Sequence, residues 1–65
     1  MKSGCYEFGY YCDNALRVNN ESDTYELIEY DYDSKEFQSL LISREKAEFI
    51  FNRYNLSDDN LIKEQ

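Results

Sequence analysis

Apolar and polar residues alternate along most of the chain up to Ile42, and the period lengthens to that of a helix after Ser43. Cys5–Cys12 reads as a strand. Tyr6, Phe8, Tyr10 and Cys12 would share one face, with Cys5, Glu7, Gly9 and Tyr11 on the other. Asp13-Asn14 is a turn or bulge signal, after which Ala15–Val18 resumes the extended pattern. Asn19–Asp23 is a polar loop of hairpin length, followed by the tyrosine-rich strand Thr24–Asp33.

The alternation of that strand slips once. Tyr25 and Leu27 have one parity, Ile28, Tyr30 and Tyr32 the other. A β-bulge at Leu27/Ile28 would bring all five to one face and leave Glu26, Glu29, Asp31 and Asp33 opposite. Asp33-Ser34-Lys35 then makes a tight turn into the strand Glu36–Ile42, whose Leu40-Leu41-Ile42 end predicts burial on both sides.

Ser43 is a good N-cap, and Glu45 in the first turn favours the helix dipole. Ile42 and Ala47 occupy the hydrophobic-staple positions. Ala47, Ile50, Phe51 and Tyr54 form one stripe to lie on a sheet, with Phe49 off it. Asn55 can close the helix, and Ser57-Asp58-Asp59 can cap a short second helix through Leu61-Ile62. Strands first and helix last predict an α+β fold: an antiparallel meander of three or four strands, one packed helix and a short C-terminal helix.

Length and composition narrow the function classes. Sixty-five residues form a single small acidic domain that buries only about 60% of its unfolded surface, too little for a two-domain enzyme or a dinucleotide fold. The longest apolar run, Leu40–Ile42, is far short of the roughly 20 residues a bilayer requires. No h-region follows Met1, so no signal peptide is expected and the reading is cytoplasmic. There is no histidine, which removes the commonest general base and metal ligand. Cys5 and Cys12 lie roughly 23 Å apart on a continuous strand, out of bridging range, and two thiols alone cannot complete a zinc site. They are expected as reduced, half-buried strand cysteines.

The net charge of −7 repels nucleic acid and anionic membrane and favours a basic partner. Its distribution says more. Residues 1–20 are neutral, with Glu7 and Asp13 against Lys2 and Arg17. Residues 21–36 carry Glu21, Asp23, Glu26, Glu29, Asp31, Asp33 and Glu36 against Lys35 alone, which is −6. The acids are interleaved with Tyr25, Leu27, Ile28, Tyr30 and Tyr32, so the stretch should fold. Carboxylates at i and i+2 on a strand repeat about every 6.6–6.8 Å. Such a ladder on a rigid hairpin can occupy the lysines and arginines that grip a phosphate backbone, with Tyr30 and Tyr32 as aromatic anchors. The plainer function of the same face is solubility.

Other chemistry finds little support. Asp31-Tyr32-Asp33 resembles the start of an EF-hand loop, but the sixth position is Glu36 rather than Gly and the twelfth is Ile42 rather than Glu. Paired carboxylates such as Glu26 and Glu29 would need an apolar pocket to separate their pKa values, and the chain is too small to build one. No Ser/His, Cys/His or glycine-rich phosphate loop exists, so no catalytic residue, metal site or cofactor is expected. Eleven aromatics exceed what one helix stripe and one sheet face need, which marks Tyr11, Phe49 and one or two of Tyr25, Tyr30 and Tyr32 for exposure.

The hairpin from Arg17 through Asn19-Asn20-Glu21-Ser22-Asp23 to Glu26, with the acidic run to Glu36, resembles small acidic phage-encoded inhibitors of bacterial defence or repair. Anti-CRISPR proteins and uracil-DNA glycosylase inhibitors are of that type. The resemblance implies DNA mimicry against a nucleic-acid-binding host protein. The expectation is therefore a non-enzymatic inhibitor docking Glu21, Asp23, Glu26, Glu29, Asp31, Asp33 and Glu36, with Tyr30 and Tyr32, onto a basic protein surface. The alternative is a structural or regulatory homodimer through Tyr11 and Phe49, its acids only solubilising.

Overall fold

The computed structural model describes residues 1–62. Four strands, β1 (Gly4–Phe8), β2 (Asn14–Asn19), β3 (Thr24–Asp31) and β4 (Glu36–Ile42), form an antiparallel meander in chain order. One helix, α1 (Arg44–Arg53), follows, then a 3-10 turn at Asp58–Asn60. The α+β expectation holds, with four strands. The second helix stops at that single turn, and Leu61 instead bridges Tyr6 on β1.

The turn residues explain where the strands stop. Asn19 Oδ1 accepts from the N–H groups of Glu21 and Ser22, and Asp31 Oδ1 accepts from that of Asp33 at 2.9 Å. Asp23 and Lys35 close the two loops in the left-handed region. Gly9 (φ 98°) and Cys12 (φ 52°) turn the chain much earlier than the alternation suggested. β1 therefore ends at Phe8, and Tyr10, Tyr11 and Cys12 belong to a turn rather than a strand. At φ 98° an L side chain at Gly9 would be strained, and it would also crowd Asp13 Oδ1 at 2.7 Å, so this sharp reversal favours glycine.

One face of the sheet holds the core. Tyr6, Phe8, Leu16, Val18 and Tyr25 alternate toward α1 and pack with its Ala47 and Ile50 and with Leu56. Tyr6 meets Phe51 edge-on at 5.2 Å, and its hydroxyl donates to the Lys2 carbonyl at 2.7 Å. Both helix ends follow the sequence. Ser43 Oγ accepts from the Lys46 N–H, and Asn55 (φ 52°) closes the C-terminus. There the Asn55 N–H bonds Asn52 O and the Leu56 N–H bonds Phe51 O, a Schellman arrangement.

Four expectations fail on β3 and β4. No bulge occurs: β3 pairs with both neighbours in unbroken register from Thr24 to Asp31. Tyr25 and Leu27 face the helix, while Ile28 and Tyr30 face away. Strand parity thus places Glu26 on the open face and Glu29 and Asp31 on the helix side, so no single acidic face forms. The strand also ends at Asp31, which puts Tyr32 and Asp33 in the turn. Leu40 and Leu41 are not buried, at 61% and 72% exposure: Leu40 is on the helix side, but α1 lies over β2 and β3 and leaves β4 overhanging, and Leu41 is on the open face, which α1 does not reach.

Candidate functional site

The meander brings the β1–β2 and β3–β4 turns to one end of the sheet and the β2–β3 turn to the other. The acidic stretch is divided accordingly. Glu21 and Asp23 sit in the β2–β3 turn, where Asp23 Oδ1 accepts from the Tyr25 hydroxyl at 2.8 Å. Glu26 lies in mid-sheet on the open face. It meets Arg17 at 3.6 Å and accepts from Ser39 Oγ, so its charge is locally answered.

Glu29, Asp31, Asp33 and Glu36 lie at the opposite end, and Asp13 from the β1–β2 turn joins them. Tyr32 donates to Asp13 Oδ2 at 2.8 Å and ties the two turns together. Asp31 is held from both sides, by the Asp33 N–H and by Gln38 Nε2 at 3.0 Å. Asp31 and Glu36 stand directly opposite each other in the register. Five carboxylates thus share this end of the sheet with one lysine of its turns, Lys35, and none of the five is in an ion pair among the described residues. Glu29 also borders a groove that Lys46 and Arg53 of the helix line.

Aromatic rings order this end. Tyr30 packs edge-on against Tyr32 at 4.9 Å and against Phe37 at 5.0 Å, while Tyr10 and Tyr11 pack on each other in the adjacent turn. Phe37 (67%), Tyr32 (59%) and Tyr11 (75%) remain largely exposed. Glu29, Tyr30, Asp31, Tyr32, Asp33 and Gln38 line a shallow concavity. The hydrogen bond to Asp13 is the main cause that raises the Tyr32 hydroxyl above its ordinary pKa.

The alternation gathers Glu26, Glu29, Asp31 and Asp33 on one strand face, whereas the pairing divides them between the two faces and the turn. Asp13 and Phe37 were missed. In the sequence Asp13 is only a turn signal, and meander topology is what carries it beside Tyr32. Of the tyrosines marked for exposure, Tyr25 is buried, its ring in the core and its hydroxyl at the surface, whereas Tyr10 is almost fully exposed. Tyr11 and Phe49 are both exposed, yet one sits in the β1–β2 turn and the other on α1, and no ring contact joins them among the described residues.

Cys5 is half-buried on β1, where burial raises its thiol pKa, and Cys12 is exposed in a turn. Both thiols are free, and Cys12 is not the half-buried strand residue expected. Among the described residues no group of three or more Cys, Asp or Glu side chains is arranged to hold a metal ion. Nor is any helix there long and apolar enough to cross a membrane. No family model, curated protein or solved structure matches the chain.

Proposed function

We propose that this chain works by binding, as a non-enzymatic inhibitor. Its acidic, aromatic end docks onto a basic protein surface whose cations otherwise hold nucleic-acid phosphates. The observation that carries this reading is the gathering of five carboxylates, with Lys35 the one cation of the two turns, beside edge-packed rings on a hydrogen-bonded hairpin end. Bonds to Tyr32, Gln38 and the Asp33 N–H hold Asp13 and Asp31 before any partner arrives, so docking need not immobilise those two carboxylates. Exposed Tyr32 and Phe37 supply the apolar contact that charge alone lacks. The contact is end-on rather than along a strand face, and Glu21, Asp23 and Glu26 lie outside it.

The test passes purified basic nucleic-acid-binding proteins over the immobilised chain, then challenges bound ones with duplex DNA and with rising salt. Binding should be displaced by both. The triple substitution Glu29→Lys, Asp33→Lys, Glu36→Lys should weaken it by more than an order of magnitude, while Glu21→Lys with Asp23→Lys should leave it intact. Binding that ignores duplex DNA and salt, or that responds equally to both sets of substitutions, overturns the reading.

A further inference from the structure

The two edges of the sheet are treated differently. The outer edge of β1 is covered by the chain itself. Leu61 bridges Tyr6, the Ile62 N–H bonds Cys5 O at 2.9 Å, and Asn60 Nδ2 bonds Glu7 O at 3.1 Å. The outer edge of β4 has no such cover among the described residues.

β4 also lacks the devices that keep an edge strand from pairing. It runs seven residues in regular register, with no proline, no bulge and a single charge, Glu36. Phe37 and Leu41 are exposed on the open face and Leu40 on the helix side. An edge of this kind invites another strand.

We propose that β4 pairs antiparallel with β4 of a second copy of this chain, about a two-fold axis through Ser39, joining two four-stranded sheets into one of eight.

The sequence of β4 is its own complement in that register. A two-fold axis normal to the sheet pairs only residues of equal parity, and centring it on Ser39 engages all seven residues of both strands. Phe37 and Leu41 lie equally far on either side of Ser39, so each Phe37 meets the partner's Leu41 on the open face, twice over. Gln38 meets the partner's Leu40 on the other face, and Ser39 meets itself.

Charge favours the same orientation. The two Glu36 carboxylates fall at opposite ends of the paired strands, roughly 20 Å apart and beyond a Debye length of about 8 Å. The two acidic ends point away from each other. A parallel pairing would place like beside like. The strip is about 23 Å long and, taken around both faces, about 20 Å wide, on the order of 500 Å² per copy against about 800 Å² in a standard interface. The dimer is therefore reversible and concentration-dependent.

Sedimentation of the full chain from micromolar to millimolar concentration should show the mass rising from 7.8 kDa toward twice that value. Added salt should strengthen the association, the reverse of its effect on docking at the acidic end, so the two readings fail separately. Leu41→Lys should hold the chain monomeric across the range. Its lysine faces Glu26 across β3–β4, and an unchanged melting temperature shows that the fold survives.

The register has its own test, because directly opposed strand residues lie within disulfide range. With Cys5→Ser and Cys12→Ser in place, Ser39→Cys should form a disulfide dimer with oxidised glutathione an order of magnitude faster than Ser22→Cys. A chain that stays monomeric at millimolar concentration overturns the proposal. So does a dimer indifferent to Leu41→Lys, or Ser39→Cys cross-linking no faster than the control.

Discussion

If the acidic end is kept for binding, it should be kept at some cost to stability, and Glu36→Lys measures that cost. Asp31 and Glu36 are directly opposed across β3–β4. Opposed residues hold their Cβ atoms about 5 Å apart, so two carboxylates near 6 Å repel by about 0.7 kcal/mol at the dielectric of water. Reversing one sign turns that repulsion into a similar attraction. Salt screening and side-chain entropy reduce the swing to about 0.5–1 kcal/mol. In a domain of this size that raises the melting temperature by about 2–8 °C. Asp31 is the wrong residue to reverse, because it also holds the turn through Asp33 and Gln38. The assay is thermal unfolding by circular dichroism at micromolar concentration, in low salt and in 1 M salt, where a Debye length of about 3 Å should erase most of the gain. A destabilised variant, or a gain of equal size in both salts, refutes the claim that this end is electrostatically strained.

Three further outcomes follow from the geometry. Leu16 is fully buried at the centre of the core, so Leu16→Ala should cost about 3–5 kcal/mol, measured by urea unfolding, a large part of the stability available to so short a chain. Ser43→Ala removes the acceptor for the Lys46 N–H and should cost about 1 kcal/mol in the same assay. Stability should also fall in alkali. The pKa is raised for Tyr6 chiefly by burial, and for Tyr25 and Tyr32 chiefly by their bonds to Asp23 and Asp13. A raised pKa means the fold prefers the protonated phenol, so the contribution is complete below the ordinary value of 10.0 and lost as pH climbs through the raised one. Melting temperatures should hold near pH 9 and drop beyond pH 10 or so, in step with a late rise of phenolate absorbance from Tyr6, Tyr25 and Tyr32.

The parts of the fold fixed by local chemistry were legible in the sequence. Ser43 and Asn55 cap the helix their neighbours suggested, Ser57 caps only a single 3-10 turn in place of the expected second helix, and the polar loop at Asn19–Asp23 is a hairpin. Ala47, Ile50 and Phe51 turn inward as their spacing required. What the sequence left ambiguous was the meaning of the slip at Leu27/Ile28. A bulge and a two-faced strand give the same string of residues, and only strand pairing separates them. β3 is two-faced because its open side is itself partly apolar. Ile28 lies between Ala15 and Ser39, and Tyr30 lies against Phe37.

Coverage explains the other failure. An α-helix is about 10 Å across, while four strands at about 4.8 Å spacing span about 14 Å between outer axes, so one helix cannot shield every strand. The run Leu40-Leu41-Ile42 resembles a buried strand only if something covers it on both sides. In a chain whose one helix of useful length sits over β2 and β3, nothing described does. The polar Gln38 and Ser39 within the same strand were the available sign that β4 meets water.

Carboxylates concentrate at the turn end of the β3–β4 hairpin and aliphatic side chains along its outer edge, and the two proposed contacts use these two places. The turn end gathers carboxylates whose mutual repulsion works over several ångströms and weakens in salt. The outer edge of β4 gathers Phe37, Leu40 and Leu41 beside open backbone groups, whose association strengthens when salt screens the −7 charge of each copy. Phe37 is where they adjoin: its ring packs on Tyr30 at the acidic end, and its strand position faces the partner's Leu41 in the paired edge. Pairing at β4 orders Phe37 and so stiffens the ring cluster behind Asp31 and Glu36, while the acidic ends project in opposite directions. A dimer of this geometry offers two separated acidic ends at once, which raises the effective concentration of the second contact on any basic partner with two sites.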